Sequence, residues 1–313
     1  METMRDIQRR IDTVENTKKI TRAMKMVASA KLRRAQEKAE QTRPFFNRTR
    51  QILVDIVHNT EDTARHPLLE PTEGDKELYV VVTSDRGLCG AYNTRVLRKV
   101  RARTNPEDNP IVVLGRTGYR ALERDGYEIL TDYVDLDDYP SFWFARRLTD
   151  RLIDLYRHND VNEVRFIYTY FESALAQEVR EIPLLPASPP EEPDSEVEGT
   201  AGDILSDVNE EEEEGEEGEE YEKEAREMSS AYLYEPSVQE VLDTILPQYL
   251  NNILYSSILE SKASEFGSRM TAMDNATDNA EEMIEELTQS YNRARQSQIT
   301  EEISDIVRGA EAQ

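Results

Sequence analysis

The chain has 313 residues, a formal net charge of −26, a single cysteine and three histidines. That length allows one large domain or two smaller ones around a real core. One cysteine, Cys89, excludes an internal disulfide and fits a reducing compartment. The first ten residues, METMRDIQRR, are charged and lack the apolar stretch of a secretory signal, and no run of about 20 apolar residues suggests a membrane span.

Residues 1–58 are expected to form one long N-terminal helix. Met4, Ile7, Ile11 and Val14 recur in steps of three and four, the signature of a coiled-coil seam, and Met24, Val27 and Leu32 are expected to continue the apolar stripe. Pro44, which removes a backbone donor, marks Thr42 to Pro44 as a candidate bend. A turn-rich link follows to about Asp75.

From 76 to 186 the pattern changes. Strands are expected at Leu78–Thr83, Ile111–Leu114, Tyr127–Val134, Val164–Thr169 and Gln177–Leu185, with helices near Thr94–Arg103, Thr117–Arg124 and Phe142–Tyr156. Alternation of this kind predicts an open Rossmann-like α/β sheet. Its strand order is not legible in the residues.

The Gly87–Gly90 loop joins a strand to a helix, where phosphate-binding loops sit in nucleotide folds. It lacks the third glycine of a dinucleotide fingerprint, and no GxxxxGK[ST] motif occurs in the chain. A tight structural turn with Asp85 and Arg86 in fixed positions is the reading adopted. His58, His66 and His158 have no metal-ligand partner at helical or loop spacing, so neither a metal nor a cofactor is expected. Nothing marks a catalytic acid, base or nucleophile.

Residues 187–230 are read as an acidic insertion, expected to be disordered. Its core, residues 187–226, holds 18 acidic and 2 basic side chains, so it carries most of the net charge. Residues 237–313 then form a second long helix, with Ser237 as its cap. Met270, Met273, Thr277, Ala280, Ile284, Leu287, Tyr291, Ala294 and Gln298 keep the heptad step. Residues 1–50 carry 14 Lys/Arg against 6 Asp/Glu, and residues 260–313 carry 5 against 12, so an antiparallel pairing of the two ends is favoured. The predicted fold is α/β plus coiled coil, with the two terminal helices packed against each other and flanking the central sheet. Without interleaved aromatics, the basic N-terminal face is assigned to a protein partner and not to nucleic acid. These features alone also fit an α/β nucleotide-binding enzyme with a coiled-coil dimerisation arm, or an acidic scaffold.

Three blocks narrow the choice. RIDTVENTKKITRAMKMVASAKLRRAQ at 10–36, TSDRGLCGAYN at 83–93 and ITEEISDIVRGAEA at 299–312 resemble the γ subunit of F-type ATP synthases, as do YLYEPS at 232–237 and ASEFGSRMTAMDNATDNA at 263–280. The resemblance implies a rotor shaft that turns inside a ring of three α and three β subunits. It implies a foot that binds ε and the membrane c-ring, with catalysis left to β. It also implies a peripheral place on the cytoplasmic face of the bacterial inner membrane.

Carried over by position, Arg22, Met24, Lys25, Arg295, Gln296, Thr300, Glu302 and Asp305 would contact β. Ile303, Ile306, Val307 and Ala310 would form an apolar bearing tip, and Tyr232, Tyr234 and Glu235 would meet the c-ring. Ala91 and Tyr92 stand where a second glycine is common in the family, and Gly267 stands in what is usually a polar stretch. The acidic insertion, which has no cysteine, is expected to hang at the foot near ε and the membrane.

Overall fold

The computed structural model describes residues 3–59, 66–72, 74, 76–187, 235 and 237–311. The elements in chain order are α1 (Met4–Asn59), β1 (Glu77–Val82), α2 (Tyr92–Arg103), β2 (Ile111–Leu114), α3 (Arg116–Arg124), β3 (Ile129–Tyr133), α4 (Phe142–Arg157), β4 (Glu163–Phe171), β5 (Gln177–Leu185) and α5 (Val238–Glu311). At 1.5 Å per residue the 56-residue α1 is about 84 Å long, and the 74-residue α5 about 110 Å.

The sheet has the order β3-β2-β1-β4-β5, parallel throughout except for β5, which runs antiparallel to β4. The pleat divides the core in two. Tyr79 and Val81 of β1 point to one face, where they meet Val96, Val100 and Leu122 of α2 and α3. Leu78, Val80 and Val82 point to the other, which is covered by α4, α5 and the C-terminal part of α1. There α5 is enclosed, and nearly every residue from Tyr249 to Ser268 is buried.

A helix so placed belongs both to the foot and to the shaft. Arg269 and Thr271 still reach loops of the foot, and beyond them α5 runs on as the partner of α1. Ile7 and Ile11 pack on Leu287 at the far end, with Val14, Tyr291 and Ala294 against them, while Leu32 and Ala35 meet Ala263 and Phe266 near the foot. Between these two apolar clusters the seam mixes the buried Ala28, Met273 and Ala280 with polar pairs. The Thr21 and Thr277 hydroxyls are 2.8 Å apart and buried, and the ion pairs Lys18–Glu281 and Lys25–Asp274 flank them.

The α1 seam departs from the expected stripe in one place. Val27 is 56% exposed and Met24 only half-buried, whereas Lys25 and Ala28 face α5. The cause is heptad phase: counting in threes and fours from Ile11 and Val14 reaches Lys18, Thr21, Lys25 and Ala28, and places Val27 one residue off the seam. The helix also continues without interruption across Pro44, because Phe46, Thr49 and Leu53 anchor the following turns.

Candidate functional site

The turn between β1 and α2 is held by an internal polar network. The Ser84 backbone N–H donates to Asn93 Oδ1 at 3.0 Å, Asn93 Nδ2 donates to Ser84 Oγ at 2.7 Å, and Ser84 Oγ donates to the Arg86 carbonyl at 2.8 Å. Leu88 and Gly90 take left-handed backbone angles, φ 62° and 55°. Asp85 Oδ1 accepts from the backbone N–H groups of Arg116 and Asp135, each at 2.9 Å, and so caps α3 from a neighbouring loop. Arg269 of α5 donates to the carbonyls of Arg86 and Gly87.

In a doubly wound sheet a ligand enters beyond the carboxyl ends of the strands, at the point where strand order reverses. Here that point lies between β1 and β4, and α5 fills it. The Thr169 N–H donates to Ser261 Oγ at 3.0 Å, and Ser264 Oγ donates to the Thr169 carbonyl at 3.2 Å. A Cβ on Gly267 would stand 3.1 Å from the Phe171 ring, so the helix approaches the strand too closely for a substrate to intervene. Burial pushes the Tyr92 phenol beneath Ser261 and Thr169 well above its ordinary value, which keeps it protonated and not nucleophilic. Among the described residues no group of His, Cys, Asp and Glu could hold a metal ion.

Two surfaces of the shaft remain. The first is a groove of about 690 Å³ at its root, walled by Ile20, Met24 and Val27 of α1, by Leu88 of the turn, by Leu136, and by Lys262 and Phe266 of α5. Met24 lines it, whereas Arg22 is exposed and Lys25 is paired with Asp274 on the seam. The second is the end of α5. Among the described residues, 295–303 are all exposed. Arg295, Gln296, Thr300 and Glu302 are exposed there, with Thr300 Oγ1 donating to the Gln296 carbonyl. Ile303, Ile306 and Val307 are 56, 71 and 49% exposed. The side chains of Asp305 and Ala310 lie outside the described residues. So do Tyr232, Tyr234 and residues 188–230 of the acidic insertion, while Glu235 is exposed. The groove as a unit was not anticipated from the sequence, because four separate segments build it.

The ATP synthase family model matches residues 3–313. The chain belongs to the ATP synthase gamma-chain family. It is 48% identical to the ATP synthase gamma chain of Halothermothrix orenii over 100% of this chain and 99% of that one. With the gamma chain of Heliobacterium modesticaldum it shares 42% identity over 99% and 98%. Among solved structures, a rotor chain of the Euglena gracilis mitochondrial ATP synthase matches with a TM-score of 0.58 and 19% identity, covering 95% of this chain and 98% of that one. A second structure of that enzyme, with its c-ring, gives 0.60 and 20%, covering 99% and 94%. These structural likenesses bear on the fold of this gamma-family chain. No helix among the described residues is long and apolar enough to cross a membrane.

Proposed function

We propose that this chain is the central rotor shaft of an F-type ATP synthase. It couples rotation of a membrane c-ring to sequential conformational change in β catalytic sites, reversibly, and performs no bond chemistry itself. The observation that carries this reading is the bare end of α5: exposed Ile303, Ile306 and Val307 on an unaccompanied helix need a surrounding protein. A ring of three α and three β subunits supplies one. In this reading Arg295, Gln296, Thr300, Glu302 and Asp305 contact β at the mouth of the ring. Ile303, Ile306, Val307 and Ala310 turn in an apolar bearing, and Arg22, Met24 and Lys25 meet β lower down.

The foot meets ε and the c-ring through Tyr232, Tyr234 and Glu235, which places the chain peripherally on the cytoplasmic face of the inner membrane. The acidic insertion hangs at this same end. Support comes from its roots. The Ala187 N–H donates to the Leu68 carbonyl at 2.7 Å on one side, and His66 Nε2 bonds Asp243 at 3.0 Å on the other, so one link moors both flanks near the start of α5.

The test is to co-express the chain with α and β of the same source and compare Mg-ATP hydrolysis with an α/β preparation that lacks it. One copy per three α and three β, with multisite turnover dependent on it, is the expected result. A chain that stays apart, with turnover indifferent to it, would overturn the reading.

A further inference from the structure

The outer layer of the foot is basic in a chain that is strongly acidic. Helices α2 and α3 together carry eight Arg or Lys against one acid, Glu123, whereas the whole chain has a net charge of −26. Their apolar faces, with Val96, Val100 and Leu122, are turned to the sheet. Four of the cations are taken up within the foot: Arg95 donates to Gln177, Arg101 pairs with Asp125, Arg103 with Glu181 and Arg116 with Asp135. Glu123 is engaged as well, accepting from the Tyr119 hydroxyl at 2.9 Å. The other four, Arg98, Lys99, Arg120 and Arg124, have no hydrogen-bond or ion-pair partner among the described residues, and all but the half-buried Lys99 are exposed.

We infer that this face docks the acidic insertion of the same chain, with Arg98, Lys99, Arg120 and Arg124 receiving its Glu-rich run. Charge selects the occupant, since residues 210–224 hold eleven Glu and one Lys. Reach allows it. Arg95 meets Gln177 and Arg103 meets Glu181, so α2 runs alongside the first half of β5 with Lys99 between those two contacts. From there to Ala187, where the insertion leaves the foot, is about eight residues of extended chain, roughly 26 Å. Glu210 comes 23 residues after Ala187, and a flexible linker of that length spans about 26 Å root-mean-square. Both roots are fixed to the foot, Ala187 through Leu68 and the start of α5 through His66 and Asp243, so the run is held at a high effective concentration beside the face. A free polyanion lacks that advantage.

Two measurements on the isolated full-length chain at low salt test this. Zero-length carbodiimide coupling followed by peptide mass spectrometry should join Lys99 to a Glu of the 210–224 run within a single copy. Cleavage of that run by a Glu-specific protease should be about tenfold faster when Arg98, Lys99, Arg120 and Arg124 are all changed to Gln, the order of four exposed ion pairs. Parent and variant should converge in molar salt, where the pairs are screened. The four side chains bond nothing else in the foot, so the variant should melt within a degree or two of the parent. If it does not fold, Arg120→Gln with Arg124→Gln should still speed cleavage about threefold. Equal cleavage of parent and variant at low salt, or Lys99 left uncoupled to the run, would overturn the inference. A Lys99 link to the run of a second copy, seen as a cross-linked dimer, would overturn it too and assign the face to self-association. Either failure leaves the rotor reading standing, since no other subunit is present in the test.

Discussion

Gly115 shows how closely the foot is packed. At φ 102° an added Cβ would stand 2.3 Å from the Thr83 carbonyl oxygen, and Gly118 faces the Thr83 side chain at 2.6 Å. Both glycines let the start of α3 lie against the end of β1, where Thr83 Oγ1 accepts from the Gly118 N–H. Gly115→Ala combines backbone strain with a clash against main chain, and should cost about 3 kcal/mol, read as a lower urea midpoint at unchanged slope. Gly267 lets α5 approach Phe171 and Gln177 closely, at 3.1 and 3.2 Å from an added Cβ. That purpose is invisible in a sequence, since the strand it meets lies about 100 residues away.

Among the elements, α1 and α5 were the most legible, because a heptad repeat reports its own partner. Gln177–Leu185 coincides with β5, whereas strand order had to come from the structure: β4 joins β1 through packing that no local pattern encodes. The seam position of Lys25 was missed because apolar identity was weighed above spacing. Lysines at such positions snorkel to a carboxylate on the partner helix. Glu281 illustrates the consequence. Hydrogen bonding to Lys18, and then that lysine's charge, hold its carboxyl below the ordinary value. A depressed carboxyl stabilises the fold above its unfolded value and loses that contribution as pH falls through the folded one. Acid melting of the coil should therefore come at higher pH in Glu281→Gln, monitored by circular dichroism in low salt. Identical acid transitions would show the pair to be inert.

At the scale of the whole molecule, the bare end of α5 and the acidic surface separate folding from assembly. Residues 295–303 are all exposed, so a chain shortened by 295–313 should keep its melting temperature within a degree or two while losing its effect on α/β hydrolysis. A large drop in melting temperature would mean that the end folds back. The net charge of −26 predicts self-repulsion. The unfolding midpoint should rise between low and molar salt, where the screening length falls to about 3 Å. Equal midpoints would show that self-repulsion does not limit the stability of the fold. The root groove was illegible in the sequence because residues 20–31, 85–88, 135–138 and 262–269 meet only in three dimensions. The one available signal was a lysine, Lys262, set between Glu260 and Glu265 in a stretch otherwise of apolar and small residues.

Because α5 is core to the sheet at one end and uncovered at the other, the molecule has no joint along its axis. A twist imposed on the foot enters the helix through the Ser261 and Ser264 bonds to β4 and travels along a single unbroken ladder of main-chain hydrogen bonds. The buried Thr21–Thr277 contact and its flanking ion pairs lie between foot and tip, so a load carried by such a rod passes through polar bonds midway along the coil.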